Sequence, residues 1–321
     1  MSIHPVLHQK PVWERDGIDW PNRELSRFVD AGGLTWHVQE GGDGPGLLLV
    51  HGTGAATHSW LGLLPLLATR FRVLAMDLPG HGFTAVPAPR RLSLSGMAEG
   101  IGALCRELAL APEVAVGQSA GAAIAARMCL DGLIEPKALV SLSGALLPLR
   151  GLPATWFKPA ARLTARGAWL PRFFAAGARR DPRSIDRMVA STGSRLPPEQ
   201  VARYRMLISH PGHLSAALNM MANWDLEPLR RDLPALRPHL ILAAFDNDKT
   251  VPPSEAERVK ALLPSAELRR FDRLGHLAHE EDPDTVAELI FDVAKGLISG
   301  ASRAPRRSSS LELAARGNAA C

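Results

Sequence analysis

The stretch EVAVGQSAGAAIAAR, residues 113–127, decides the fold of this chain. An apolar, β-branched run leads into the pentapeptide GQSAG (residues 117–121), and an alanine-rich segment of helical character follows at once. This order is typical of a sharp, strained turn between a strand and a helix, with a serine hydroxyl exposed at its tip. Only small residues let strand and helix approach so closely, which accounts for Gly117 and Gly121. A glycine-rich turn with an uninvolved serine is the alternative, but the flanking elements favour a reactive Ser119.

Length and composition indicate a soluble globular protein. A chain of 321 residues can form one large α/β domain or two smaller ones, and 46% hydrophobic residues with a mean hydropathy of −0.01 suit a folded core. No segment is apolar for long enough to span a bilayer, and the first residues lack the hydrophobic stretch of a secretory signal. The three cysteines are odd in number and scattered, so we expect no disulfide framework and predict a cytoplasmic location.

Positive charge is concentrated in one part of the chain. The net charge is +5, and between Arg150 and Arg205 the basic residues far outnumber Asp181, Asp186 and Glu199. Such a segment could meet an acidic ligand or an anionic membrane surface, so peripheral membrane contact is one expectation. A solvated helical face explains the same charges equally well. No nucleic-acid motif accompanies them, and no nucleic-acid partner is expected.

Short apolar runs alternate with helical segments over most of the chain. A β-hairpin is predicted at residues 27–39, and helices at 95–108 and 283–298. Further strands are predicted at 47–50, 72–76, 137–142, 239–244 and 267–271, in addition to the strand before Ser119. This alternation predicts an α/β fold with a mostly parallel central sheet and helices on both of its faces.

The alternation breaks at residues 150–224, which are helical in composition and interrupted by proline and glycine. We interpret this region as a helical cap inserted into a core made of residues 1–149 and 225–299, followed by a disordered tail at 300–321. The aromatic and methionine side chains of the cap fit core packing as well as a binding pocket. Candidate substrate-binding residues are Gln118, His58, Trp156, Met220 and Met221.

A serine hydroxyl attacks well only when a base takes its proton and a third group orients that base. The chain order serine, acid, histidine is the one associated with this kind of elbow. Two downstream loops, residues 245–252 and 274–283, follow predicted strands and therefore lie where parallel sheets place their sites. They supply the acid and the histidine.

Within each loop one residue is preferred. Asp248 is preferred to Asp246 because it stands next to the Thr-Val-Pro that closes the turn, whereas Asp246 fits a turn-stabilising role. His276 is preferred to His279 because Gly275 frees its loop and the following residues lead into a helix. The predicted catalytic residues are thus Ser119, His276 and Asp248.

Acyl transfer also needs hydrogen-bond donors aimed at the developing oxyanion. The backbone N–H of Ala120 and that of Thr53, in the loop of residues 51–54, are the candidates. His51 and His81 are expected to brace their loops rather than take part in the chemistry. The sequence has no HExxH, CxxC, EF-hand, Walker A or dinucleotide-binding pattern, so neither a metal nor a cofactor is expected.

These features resemble the α/β-hydrolase superfamily from about Arg27 to Ile298. A narrower likeness to the BchO family, the magnesium-chelatase accessory proteins of bacteriochlorophyll biosynthesis, rests on DWPNR (19–23), HGTGAATHSW (51–60), MMANWDLEPL (220–229) and GHLAHE (275–280). It implies a role in photosynthetic pigment synthesis near the magnesium chelatase step. Two positions depart from the superfamily pattern: Gln118 replaces a more frequent His, and Phe245 a usual Gly.

Two functions are compatible with this pattern. One is a serine hydrolase that cleaves an ester of a small molecule, with Ser119 rather than an aspartate as nucleophile. The other is an accessory protein that binds a tetrapyrrole or contacts magnesium chelatase subunits without turnover, at the periphery of the photosynthetic membrane. The basic, aromatic-rich cap motivates the second hypothesis, because porphyrins combine a flat apolar face with carboxylates that suit arginine. The fold alone cannot choose between them.

Overall fold

The computed structural model describes residues 9–148, 169–181 and 183–301, and within these ranges eight strands form one sheet. The strands are β1 Ser26–Ala31, β2 Leu34–Gly41, β3 Gly46–Val50, β4 Arg72–Met76, β5 Pro112–Gln118, β6 Ala138–Leu142, β7 His239–Phe245 and β8 Glu267–Phe271. Their spatial order is β1-β2-β4-β3-β5-β6-β7-β8. Pairing is antiparallel for β1–β2 and β2–β4 and parallel between the remaining neighbours. The predicted hairpin and the mostly parallel sheet are therefore confirmed.

The helices connect these strands. They are α1 Trp13–Asp16, α2 Leu63–Ala68, α3 Leu94–Glu107, α4 Ala120–Leu130, α5 Trp169–Arg180, α6 Arg183–Ser191, α7 Pro198–Ile208, α8 Pro211–Ala222, α9 Glu227–Asp232, α10 Pro253–Leu262, α11 Ala278–Glu281 and α12 Pro283–Ala301. Helix α3 begins where Ser93 caps it, with the Ser93 Oγ accepting a hydrogen bond from the Gly96 N–H at 3.2 Å. Within the described ranges, no helix combines the length and the apolar character needed to cross a bilayer.

Helices cover both faces of the sheet because the parallel strands are apolar on both sides. Along β3, Leu48 and Val50 face one core while Leu47 and Leu49 face the other, and all four are fully buried. Side chains of α3, α4 and α10 complete the first core, and those of α2 and α12 complete the second. Each fully buried aliphatic side chain contributes about 1.5–3 kcal/mol, so this double burial explains why β3 reads as an unbroken apolar run.

Helices α5–α8 lie between β6 and β7, in the region predicted to form a cap. Hydrogen bonds join α8 and the segment between α6 and α7 to the loops at the carboxyl ends of β3, β4, β7 and β8. The division into core and cap at residues 150 and 224 stays a prediction. Residues 149–168, which include Trp156, and residues 302–321 of the predicted tail lie outside the described residues.

Candidate functional site

Ser119 occupies the turn between β5 and α4, as the sequence predicts. Its backbone has φ of +52° and ψ of −118°, a conformation that residues with a side chain rarely adopt. Neighbouring backbone holds it there: the Ser119 N–H donates to the Leu142 carbonyl at 3.0 Å, and its own carbonyl accepts from Ala122 at 3.2 Å and Ala145 at 3.1 Å. Ser119 remains partly exposed. The strained turn therefore presents the serine at the carboxyl edge of the sheet.

Glycine is needed at this turn because backbone segments touch there. A Cβ atom on Gly121 would overlap the carbonyl oxygen of Val50 and lie 2.7 Å from that of His51. A Cβ atom on Gly117 would lie 2.6 Å from the carbonyl carbon of Gly121 and overlap Ala122. Real Cβ atoms do not approach backbone this closely, so helix α4 can pack against β3 and β5 only if both positions are glycine.

Gly121→Ala is expected to lower the free energy of unfolding by about 2 kcal/mol or more, because the obstructing atoms belong to the backbone of β3 and cannot turn aside. Thermal unfolding followed by circular dichroism measures the loss. Gly177→Ala is the matched control: a Cβ atom at Gly177, in helix α5, meets nothing within 4 Å, and alanine favours a helix over glycine. Equal melting temperatures for the Gly121 variant and the wild type would contradict this account.

Asp248 and His276 are hydrogen-bonded to each other. The Nδ1–H of His276 donates to Oδ2 of Asp248 at 2.9 Å, and both residues are buried. The other carboxylate oxygen, Oδ1, accepts from the backbone N–H groups of Thr250 and Val251, each at 2.8 Å. All of these bonds orient the carboxylate toward the imidazole. With the proton on Nδ1, facing Asp248, Nε2 of His276 carries a lone pair and is free to act as a base.

The neighbouring acid and histidine have other partners. Asp246 accepts a hydrogen bond from Arg270 at 2.7 Å on the surface, and its pKa is held below its usual range first by that hydrogen bond. His279 is buried with its ring 4.6 Å from that of Trp60, and burial lowers its pKa to about 3. Both were the less favoured candidates in their loops, and neither contacts the Asp248–His276 pair by a hydrogen bond within the described residues.

Gln118 ties the histidine loop to the elbow. Its Nε2 donates to the backbone carbonyl of His276 at 3.1 Å, across 158 residues of sequence. On its other side, a Cβ atom on Gly52 would overlap the Gln118 Oε1 and lie 3.1 Å from the Ser119 Cβ. Gln118 thus connects three loops: the elbow, the histidine loop and the loop of residues 51–54. The substrate contact predicted for Gln118 stays a prediction, and its amide is occupied by this bond.

Residues 192–194, between α6 and α7, contact both the loop that carries Asp248 and the loop that carries His276. The Thr192 carbonyl accepts from the Lys249 N–H at 3.1 Å, and the Ser194 Oγ accepts from the Leu277 N–H at 2.8 Å. A Cβ atom on Gly275 would lie 2.5 Å from the Ser194 nitrogen, so this position requires glycine for close approach. We did not single out these residues from the sequence. Their only local signal is the turn-forming composition of Thr-Gly-Ser.

The two predicted oxyanion donors follow residues of the elbow and of the loop that approaches it. Ala120 is the first residue of α4, where backbone N–H groups have no acceptor within the helix. Thr53 follows Gly52, whose backbone approaches Ser119 as described above. The Thr53 hydroxyl donates to the sulfur of Met220 at 3.6 Å, and Met220 is fully buried. The oxyanion role of both N–H groups stays a prediction.

Two neutral histidines hold the loop of residues 51–54. His51 donates from Nδ1 to the Gly52 carbonyl at 2.7 Å and accepts at Nε2 from the Leu78 N–H at 2.9 Å. Burial lowers its pKa. His213 of α8 accepts at Nδ1 from the Gly82 N–H at 3.0 Å and donates from Nε2 to the Gly54 carbonyl at 3.1 Å. Burial lowers the pKa of His213 to about 3, so both of its bonds persist at neutral pH.

The remaining candidate residues differ in exposure. His58 is buried between Trp20, at a ring distance of 5.5 Å, and Tyr204, at 4.6 Å, and burial lowers its pKa to about 3. Met221 is 40% exposed. Substrate contact by His58, Met220 and Met221 stays a prediction, and Trp156 lies outside the described residues.

Asp77 is a further residue whose role the sequence does not reveal. It is fully buried at the end of β4, where Oδ1 accepts from the Thr57 N–H at 2.7 Å. Oδ2 accepts from the Phe83 N–H and from the His37 Nδ1–H, both at 2.8 Å. This one carboxylate therefore joins β2, the turn after residue 54 and the loop after β4. Its only sequence signal is an acid directly after a buried strand. Among the residues that the structure describes, no group of His, Cys, Asp or Glu is arranged to hold a metal.

Comparison with known proteins yields both sequence and structural matches. The sequence profile of the alpha/beta hydrolase family matches residues 47–289. The chain is 37% identical to the Magnesium-chelatase 30 kDa subunit of Rhodobacter capsulatus over 87% of this chain and 97% of that protein. It is 30% identical to the pimeloyl-acyl-carrier protein methyl ester esterase of Aromatoleum aromaticum over 78% and 99% of the two chains. An alpha/beta hydrolase fold protein from Burkholderia ambifaria superposes with a TM-score of 0.68 at 23% identity, covering 84% of this chain and 97% of its own.

Proposed function

Because this chain belongs to the alpha/beta hydrolase family and carries a serine at the elbow after β5, we propose that it is a serine hydrolase acting on an ester or a related acyl compound. The fold predicted from the sequence and the likeness to the BchO family are confirmed by these matches. The assignment of Ser119, His276 and Asp248 to a catalytic triad is the proposal.

In this mechanism the Ser119 Oγ attacks the carbonyl carbon of the substrate while Nε2 of His276 takes the hydroxyl proton. The N–H groups of Thr53 and Ala120 stabilise the negative charge that develops on the carbonyl oxygen. The carbon–oxygen bond to the leaving alcohol then breaks, and His276 returns the proton to that alcohol. Water repeats the sequence on the acyl-enzyme and releases the acid, with Asp248 holding the imidazole in orientation throughout.

The observation that carries the proposal is the buried hydrogen bond of 2.9 Å between His276 and Asp248, on a loop bonded directly to the residue before Ser119. A histidine oriented by a carboxylate is the base that a hydroxyl nucleophile needs, and Ser119 directly follows the residue that binds the histidine loop. The esterase relationship agrees with this chemistry.

A fluorophosphonate reagent tests the proposal directly, because its phosphorus is attacked by an activated serine and fluoride leaves. We expect one adduct per chain, located by mass spectrometry on the peptide that contains Ser119. Protein unfolded in urea, in which the serine has lost its base, is the control and should not react. No adduct on the folded protein, or an adduct on another serine, would refute the hydrolase assignment.

A second candidate function is favoured by the 37% identity to the Magnesium-chelatase 30 kDa subunit. We propose that the protein acts in bacteriochlorophyll biosynthesis beside magnesium chelatase subunits, with a tetrapyrrole or its ester as substrate or ligand. Exposed arginines support the interaction, since guanidinium groups pair with porphyrin carboxylates and with anionic lipid headgroups. Those of α5 and α6 are Arg172, Arg179, Arg180, Arg183 and Arg187. A cytoplasmic location at the membrane periphery belongs to the same proposal.

A further inference from the structure

One hydrogen bond joins helix α7 to the helix that follows the candidate catalytic histidine. The Tyr204 hydroxyl of α7 donates to the Glu280 Oε1 of α11 at 2.5 Å. Both residues are buried, and Glu280 stands four positions after His276 in the same loop and helix. A change at this contact therefore reaches both the cap region and the histidine loop.

The surroundings of the Glu280 carboxyl disfavour a negative charge. Its second oxygen, Oε2, is buried and has no hydrogen-bond partner among the described residues. Nε2 of the neighbouring His279 is 3.8 Å from Oε1, and burial keeps that imidazole neutral at physiological pH. The hydrogen bond from Tyr204 is stronger to a carboxylate than to the protonated acid, but one such bond does not offset the cost of burying a charge without a cation among the described residues, so burial favours the protonated acid.

The other titratable groups around this carboxyl supply no compensating charge. His58, on the turn of residues 57–60, packs against Tyr204 and is neutral because burial lowers its pKa to about 3. Glu281 is the neighbouring acid, bound to the Gly275 N–H at 2.8 Å and the Arg195 N–H at 3.1 Å. Asp282, at the start of α12, accepts from Thr285. Arg203 of α7 acts electrostatically on His58.

We propose that the Tyr204–Glu280 contact is a proton-dependent latch, which holds α7 against the histidine loop while Glu280 is protonated and releases it when the carboxyl ionises. Glu280 is thus a positioning residue that lies outside the chemistry of Ser119. The latch does not depend on the proposed hydrolase function, because it concerns only the packing of α7 against α11.

The titration sets the pH at which the latch opens. Burial raises the pKa of Glu280 to about 8; the hydrogen bond from Tyr204 opposes this increase, and the charge of Glu281 adds to it. The usual pKa of a glutamate is 4.5, so the folded state keeps a proton that the unfolded chain loses. The stability contributed by the latch is therefore complete below pH 4.5, declines as the pH rises, and is lost above pH 8.

Tyr204 is the only tyrosine in the chain, which gives the latch a single reporter. Tyrosine labelled with ¹³C at the ring carbon that bears the hydroxyl should give one NMR resonance, to be followed from pH 5 to 9.5. Burial and then Glu280 raise the pKa of Tyr204 well above 10, so its own ionisation lies outside this range. We expect the resonance to shift with a midpoint near pH 8 in the wild type. In Glu280→Gln, which keeps a neutral acceptor, we expect no transition.

Glu281→Gln is the matched control on the same helix. It should keep the transition and move its midpoint to lower pH, because the neighbouring negative charge is gone. A Tyr204 resonance that does not shift with pH in the wild type would refute the latch. So would a Glu280→Gln variant whose resonance shifts as the wild type does.

Hydrogen exchange of the α7 amides gives a second readout that does not require the glutamine variant to fold. After correction for the intrinsic rate, protection in the wild type should fall by up to tenfold per pH unit between pH 4.5 and pH 8 and level off above pH 8, because within that range the open state has lost the proton that the closed state keeps. Tyr204→Phe should show weak protection of α7 already at pH 7 and little further dependence on pH. If the α7 amides of Tyr204→Phe are as protected as in the wild type and depend on pH in the same way, the latch is refuted.

Discussion

Replacing Ser119 with alanine is expected to lower the rate of ester hydrolysis by about 10⁴- to 10⁶-fold, because the proposed mechanism has no other nucleophile to form the acyl-enzyme. Initial rates with p-nitrophenyl butyrate measure the effect. The fold should be intact, since the substitution removes only a partly exposed hydroxyl. Circular dichroism of the variant checks this point.

The other members of the proposed triad supply the control. His276→Ala should lose about as much activity as Ser119→Ala, and the double variant should lose no more than either, because residues that act as a unit are not additive. Asp248→Asn should cost about 10⁴-fold, since an amide at that position favours the wrong tautomer of His276. Losses that multiply in the double variant would contradict a shared mechanism, as would a Ser119 variant with more than a tenth of wild-type activity.

The same Ser119 variant separates the two proposed functions in a bacterium whose pigment synthesis requires this protein. If turnover is the role, Ser119→Ala should not restore pigment. Full restoration would mean that the protein works without its nucleophile and would favour binding or chelatase contact. The expression level of the variant must match the wild type, which an immunoblot establishes.

Replacing Asp77 with alanine is expected to lower the free energy of unfolding by about 3–5 kcal/mol, the second large effect. The substitution leaves the Thr57 N–H, the Phe83 N–H and the His37 imidazole without their common acceptor in a fully buried place. Urea unfolding at pH 7 measures the loss. Glu257→Ala, which removes an exposed carboxylate of α10 paired with Arg270, should change stability by less than about 1 kcal/mol. If Asp77→Ala also changes the free energy of unfolding by less than about 1 kcal/mol, the hydrogen bonds to the Asp77 carboxylate contribute little to stability.

The pH dependence of the Asp77 effect has a defined sign. Burial alone would raise the pKa of this carboxyl, but His37 and the backbone donors outweigh burial and hold the pKa below its usual 3.8. The carboxylate therefore contributes stability above pH 3.8 that is lost as the pH falls toward the lower folded value. The difference in unfolding free energy between the wild type and Asp77→Asn should shrink as the pH is lowered from 5 to 2. A difference that is constant with pH would contradict an ionised Asp77.

The strands and the elbow could be predicted because their signals are local. A strand buried on both faces is apolar at every position, so β3 and β4 are visible as short runs. The serine turn demands small residues on both sides of Ser119, and those residues are adjacent in sequence. Asp248 and His276 could be selected for the same reason, since each follows a strand in a loop of characteristic composition, and the structure pairs them by a hydrogen bond, while their catalytic role stays a proposal.

The sequence by itself therefore determined the sheet, the elbow and the order of the candidate catalytic residues, because each depends on residues within a few positions of one another. Only the tertiary structure decided which side chains join the loops: Gln118 to His276, His213 to Gly54 and Gly82, and Tyr204 to Glu280. The partners in these bonds are separated by 76 to 159 residues, and each polar group could satisfy itself in water equally well in an unfolded chain. Burial in the folded chain is what commits these groups to one partner, and burial depends on the packing of the whole chain.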